Sequence, residues 1–222
     1  MFDWPPIVTA SVTGFVSGLL LSIPIGPINL TIINEGARRG FVWAILIGLG
    51  ATVMDTLYCT IAFTSFSSFF QGRLVKAGME VFSFVFMLFL GVKFLLARSI
   101  PATNKIEERI EERLHPHSAF WIGFVRVMGN PGVLVFWIIL AANFISRDWV
   151  EPNGVGKFAC IGGVFAGTGV WFLGLSWAVS LGHRKFSEKT LLRMEHLSGI
   201  GLIVLAFVHG LHIVWQLAKH KM

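Results

Sequence analysis

The chain of 222 residues is 55% hydrophobic and only 14% charged, with a mean hydropathy of +0.73 and a formal net charge of +6. An ordinary soluble domain carries about 25% charged residues, so these values exclude one. At this apolarity the positive charge reads as Lys and Arg held at one membrane face, and nucleic acid is excluded as a partner.

Six apolar segments follow one another, roughly 7–33, 41–69, 79–97, 119–145, 155–181 and 196–217. Each is long enough to cross a hydrocarbon layer that needs about 20 apolar helical residues. The fold class predicted is therefore an all-α integral membrane protein of six transmembrane helices, one domain over 1–222 with the lipid bilayer around it. The opening Met1-Phe2-Asp3-Trp4-Pro5-Pro6 has neither a basic leader nor a following cleavage site, so the first segment is expected to be retained. The one long connection, 98–118, contains Ile106 to Leu114, where charges at helical spacing predict a short solvated helix.

If all six segments cross, ten Lys and Arg (Arg38, Arg39, Arg98, Lys105, Arg109, Arg113, Arg184, Lys185, Lys189, Arg193) fall on one side and six (Arg73, Lys76, Arg147, Lys157, Lys219, Lys221) on the other. The bias places the richer side, with the 98–118 linker, in the cytoplasm and both termini outside.

The two halves repeat a pattern. Gly26-Pro27-Ile28-Asn29 in segment one corresponds to Asn130-Pro131-Gly132 in segment four, Thr52 in segment two to Thr168 in segment five, and Met79-Glu80 to Met194-Glu195. A unit of three helices duplicated in this way must insert its second copy upside down, giving two inverted repeats, about 7–97 and 119–217, with helices 1 and 4 discontinuous.

Pro24, Gly26 and Pro27 interrupt the first segment, and Asn130, Pro131 and Gly132 the fourth. Proline removes a donor and clashes with the preceding turn, and backbone freed in this way must be buried or line a watery cavity. Paired breaks at corresponding places point to a substrate site, although a pair of structural kinks would look the same. Asn29 and Asn130 offer amides beside the breaks, either to a substrate or to the breaks themselves. Asp55, near the middle of its segment, must face the bundle interior, as a proton carrier, a counter-charge to a cationic group or a hydrogen-bonded structural acid. Under the repeat its counterpart is Trp171. Arg126, one turn before Asn130, can meet a substrate carboxylate, pair with Asp55, or snorkel to the surface.

Other groups carry less. Glu80 and Lys93 read as interfacial. His209 and His212 share a face without further ligands, so no metal is expected. Cys59 and Cys160 read as core thiols without a Cys-x-x-Cys partner. Gly14 with Gly18, and Gly163 with Gly167, are spaced for close helix approach. No cofactor motif, ATP-binding loop or nucleophile–base pair is present, so an enzyme is not expected.

The run Pro24-Ile25-Gly26-Pro27-Ile28-Asn29, the following Asn34-Glu35-Gly36-Ala37-Arg38-Arg39-Gly40, the mid-segment Asp55, and Asn130-Pro131 with Trp171 together resemble the lysine exporter (LysE) family of bacterial amino-acid exporters over essentially the whole chain. Where the family often has Pro-Gly-Pro, this chain has Pro24-Ile25-Gly26-Pro27. The resemblance implies a secondary transporter of the bacterial inner membrane, driven by a proton gradient or the membrane potential. Its substrate would be a small zwitterionic or cationic metabolite such as an amino acid, exported by alternating access. The substrate-binding or ion-binding residues expected are Asp55, Asn29, Asn130, Pro24, Gly26, Pro27, Pro131, Gly132, Thr52, Thr168, Trp171 and Arg126. A non-transporting membrane scaffold or assembly factor and a divalent-cation carrier are the alternatives, and a homo-oligomer is left open.

Overall fold

The computed structural model describes residues 5–24, 26–65, 73–98, 118–181 and 188–218, and every regular element among them is helical. There are eight: α1 (Pro6–Ser22), α2 (Pro27–Arg39), α3 (Phe41–Ser65), α4 (Arg73–Leu95), α5 (Ala119–Met128), α6 (Pro131–Ser146), α7 (Gly154–Leu181) and α8 (Glu188–Ala218). Most of the 98–118 linker, including the helix expected at 106–114, lies outside the described residues.

Local chemistry sets the boundaries. Pro6, Pro27 and Pro131 each stand in the first turn of their helix, where a missing N–H costs nothing and a fixed φ favours the helical start. Pro27 and Pro131 therefore restart a helix rather than kink one. The axes of α1 and α2 differ by 70° and those of α5 and α6 by 68°, each across a break of a few residues. Ser118 caps α5 by accepting from the Trp121 amide, and Asn130 caps α6 by accepting from the Gly132 amide at 3.1 Å. Gly40, at φ 86°, closes α2 with its amide on the Gly36 carbonyl, a conformation that would strain other residues.

Three helices are long and apolar enough to cross a membrane by themselves, Phe41–Thr64, Gly154–Leu181 and Glu195–Trp215, and the number rises to five if each bent pair is one span. The remaining sequence segment is α4, whose apolar stretch among the described residues is the shorter Phe84–Leu95. The outward faces of α7 and α8 carry exposed Phe165, Val170, Leu173, Trp177, Val204, Phe207 and Leu211, which a soluble protein would bury.

α1 lies along α7, α5 lies along α3, and α3 also packs on α7, with α2 and α6 filling in against α3. α4 and α8 pack on each other and join the rest mainly through α4 against α6. The two closest crossings run through glycine. A Cβ on Gly163 of α7 would stand 2.2 Å from the Ser11 carbonyl oxygen of α1, and one on Gly123 of α5 would stand 1.9 Å from the Ile47 carbonyl oxygen of α3. Gly14, Gly18 and Gly167 complete the first crossing and Gly50 the second. Without a hydrophobic drive between helices in lipid, such backbone-to-backbone packing is a main source of association.

Gly123→Val and Gly163→Val are each expected to destabilise the fold by about 2 kcal/mol or more, because backbone, not a side-chain tip, must yield. Thermal unfolding of purified protein in detergent checks this, with Gly162→Ala, where an added Cβ meets nothing within 4 Å, expected to melt like the wild type.

Candidate functional site

Both helix breaks open onto one cavity of about 430 Å³. From the first break it is lined by Ser22, Pro24, Gly26, Pro27, Ile28 and Asn29, and from the second by Asn130, Gly132 and Val133. The N-termini of α2 and α6 thus both face it, each presenting the positive end of a helix dipole.

Two of the carbonyls at the first break accept from one side chain, and the Pro24 carbonyl accepts from the Gly26 amide as well. Asn29, 1% exposed, donates from its amide nitrogen to the Ser22 carbonyl at 2.9 Å and to the Pro24 carbonyl at 2.6 Å. Its oxygen accepts from the Trp171 indole of α7 at 3.1 Å. At the second break the Tyr58 hydroxyl of α3 donates to the Met128 carbonyl at 2.7 Å. Each break is thus latched by a group that also fixes it to a neighbouring long helix.

Asp55 lines the cavity from α3, part-buried, with Trp137 of α6 as a side-chain hydrogen-bonding neighbour. Arg126 lines it from α5 and donates through its guanidinium to the Thr31 hydroxyl of α2. That hydroxyl in turn donates to the Pro27 carbonyl at 2.7 Å, so the α5 cation is tied to the first turn of α2.

The structure brings Asp55, Asn29, Asn130, Pro24, Gly26, Pro27, Gly132 and Arg126 to this one cavity. Pro131, Thr52, Thr168 and Trp171 are not on its wall. Thr52 and Thr168 are buried and donate back to their own helices, to Gly48 and Val164 carbonyls. Trp171 acts one step behind the wall, through Asn29. The side chains of His209 and His212 lie outside the described residues, and no group of three or more potential metal ligands occurs among the described ones.

Sequence reading missed two ionisable wall residues, Lys93 of α4 and Glu195 of α8. Glu195 is 2% exposed. The available signal was their spacing: Phe86, Leu90 and Lys93 share one face of α4, and Glu195 and Leu202 one face of α8, at helical intervals. The rest of the wall is largely apolar, with Leu20, Leu21, Phe94, Phe136 and Phe172.

These features define a multi-pass helical membrane protein with a cavity at the two sharp bends between paired helices. The chain belongs to the LysE type translocator family, which matches residues 19–212. It is also 26% identical over 207 residues to a Bacillus subtilis (strain 168) protein named "Putative amino acid efflux protein YcgF", an alignment covering 91% of this chain and 95% of that protein. No solved structure matches it.

Tyr58→Phe removes the donor to the Met128 carbonyl and nothing else of the side chain's bulk. It is expected to cost about 1 kcal/mol, the scale of a part-buried hydrogen bond, read as a lower melting temperature in detergent.

Proposed function

We propose that the protein exports an amino acid, or a closely similar small zwitterion, by alternating access through the cavity between its two helix breaks. The observation that carries this reading is the convergence of both breaks, with Asp55 and Arg126, on one cavity. Family membership and the relative named as an efflux protein support the same reading.

Each group then has a chemical task. The N-termini of α2 and α6, with Arg126, suit a substrate carboxylate, since aligned helix dipoles and a guanidinium both favour an anion there. Asp55 binds the coupling proton or the substrate ammonium. The apolar side chains around Phe136 and Phe172 suit an apolar substrate side chain. Export is driven by a proton gradient or the membrane potential.

The architecture proposed is six spans in two inverted three-helix repeats, 7–97 and 119–217, with α1–α2 and α5–α6 as the discontinuous first helices and α4 as the third span. The reciprocal packing supports it: the first half-helix of each repeat lies on the second helix of the other, α1 on α7 and α5 on α3. The protein is placed in a bacterial inner membrane with both termini outside.

Purified protein in liposomes loaded with radiolabelled L-leucine, L-threonine or L-lysine tests this. Wild type is expected to release at least one of them under an imposed pH gradient or potassium diffusion potential, and Asp55→Asn to lower the rate about 100-fold or more, as for loss of an essential ionisable group. Folded wild type that moves none of the three would sink the exporter reading and favour a scaffold.

A further inference from the structure

Two ionisable groups in the cavity wall, Lys93 and Glu195, have no place in the scheme above. Glu195, on α8, is the one charged residue among the buried polar residues described, and it stands in the wall opposite in origin to the helix breaks: α4 and α8 supply it together with Lys93, Phe94 and Leu202. Within an apolar span an ionisable residue is costly and is retained where it lines a pathway or meets a charge.

The position is held firmly. A Cβ on Gly199, one turn along α8, would lie 2.6 Å from the Leu95 amide nitrogen of α4, so the two backbones touch there. His196, next to Glu195, donates from Nε2 to the Ala97 carbonyl at 2.9 Å. These contacts set α8 in register against α4 and turn Glu195 toward the cavity rather than toward lipid.

The charges in the wall are then two acids, Asp55 and Glu195, and two bases, Lys93 and Arg126. Their formal charges cancel, as a zwitterion's do, so the wall as a whole can match a zwitterion without a net charge left over. The carboxylate end of such a solute is already matched by the α2 and α6 N-termini and Arg126 on the side of the breaks. Its ammonium needs an anion on another wall.

We propose that Glu195 is a substrate-binding residue, the carboxylate that receives the ammonium group of the transported zwitterion from the α4–α8 side of the cavity. This rests on the exporter reading and deepens it: it divides the two acids, leaving Asp55 to the coupling ion, and it makes the substrate a tie between the helix breaks and the α4–α8 pair.

The test uses full-length protein in liposomes and whichever of L-leucine, L-threonine or L-lysine wild type moves fastest, with its N-acetyl derivative as competitor. Wild type is expected to be inhibited by the free amino acid and about tenfold or more less by the derivative, which lacks the ammonium. Glu195→Gln is expected to raise KM about tenfold or more, the scale of one charge-assisted hydrogen bond, with the preference over the N-acetyl compound lost. Glu195→Asp keeps the charge and shortens its reach, and is expected to keep the preference while raising KM about threefold or more. Wild-type KM and preference in folded Glu195→Gln would overturn the assignment while leaving export standing. Should that variant fail to fold, an unchanged KM in Glu195→Asp overturns it as well. Wild type without flux would instead remove the exporter reading beneath it.

Discussion

A helix that stops inside an apolar bundle leaves carbonyls and amides that no water can reach, at a cost of several kcal/mol for each one unpaired. Pro27 and Pro131 stop and restart helices in this way, and everything near the cavity is arranged around the consequence. Asn29 spans the first break, bonding carbonyls on its near side from a residue on its far side. The second break is latched from outside, by Tyr58. A latch that bonded only its own segment would hold a local bend. These two reach to, or are held by, the long helices α3 and α7, so each break is fixed relative to the body of the bundle.

The same fixing explains why glycine marks the helix crossings. For Trp171 to reach Asn29, and Tyr58 the Met128 carbonyl, the half-helices must lie almost in backbone contact with their neighbours. Gly163 against Ser11 and Gly123 against Ile47 allow that approach. Side-chain mass at either crossing would move α1 from α7 or α5 from α3, and with them the ends of the helices that bound the cavity.

Much of this was legible in the sequence because proline and glycine act locally. The breaks, the glycine pairs on α1 and α7, and an inward Asp55 follow from residue chemistry and hydropathy alone. Glu195 and Lys93 were not legible. Hydropathy draws the sixth segment from His196, one residue past Glu195, whereas α8 begins at Glu188 and puts Glu195 two turns inside a helix. Lys93 lies in the last turn of α4, where a charge ordinarily snorkels. Only the packing of α4 on α8 and α6 decides that both border the cavity. Trp171 shows the converse limit: alignment set it opposite Asp55, but its indole reaches Asn29, since a repeat equates positions and not partners.

How an alternating cavity could open is constrained by the same contacts. On the proposed architecture, rocking one three-helix repeat against the other would slide α1 along α7 and α5 along α3, because each of those pairs would then join the two repeats. Those crossings are backbone against backbone through glycine and have no soft side chains to absorb a shift. The α4–α8 pair, by contrast, is tightly zipped within itself and meets the remainder mainly through α4 on α6, where larger side chains such as Phe86 and Phe136 are in contact at 5.6 Å between ring centres. Rings of this kind can re-pack in a new register. On the exporter reading, the economical motion therefore swings α4 with α8 as one body against a fixed core that holds both breaks. A charge carried on that moving wall changes its distance from the breaks as the cavity opens, which a charge on α3 does not.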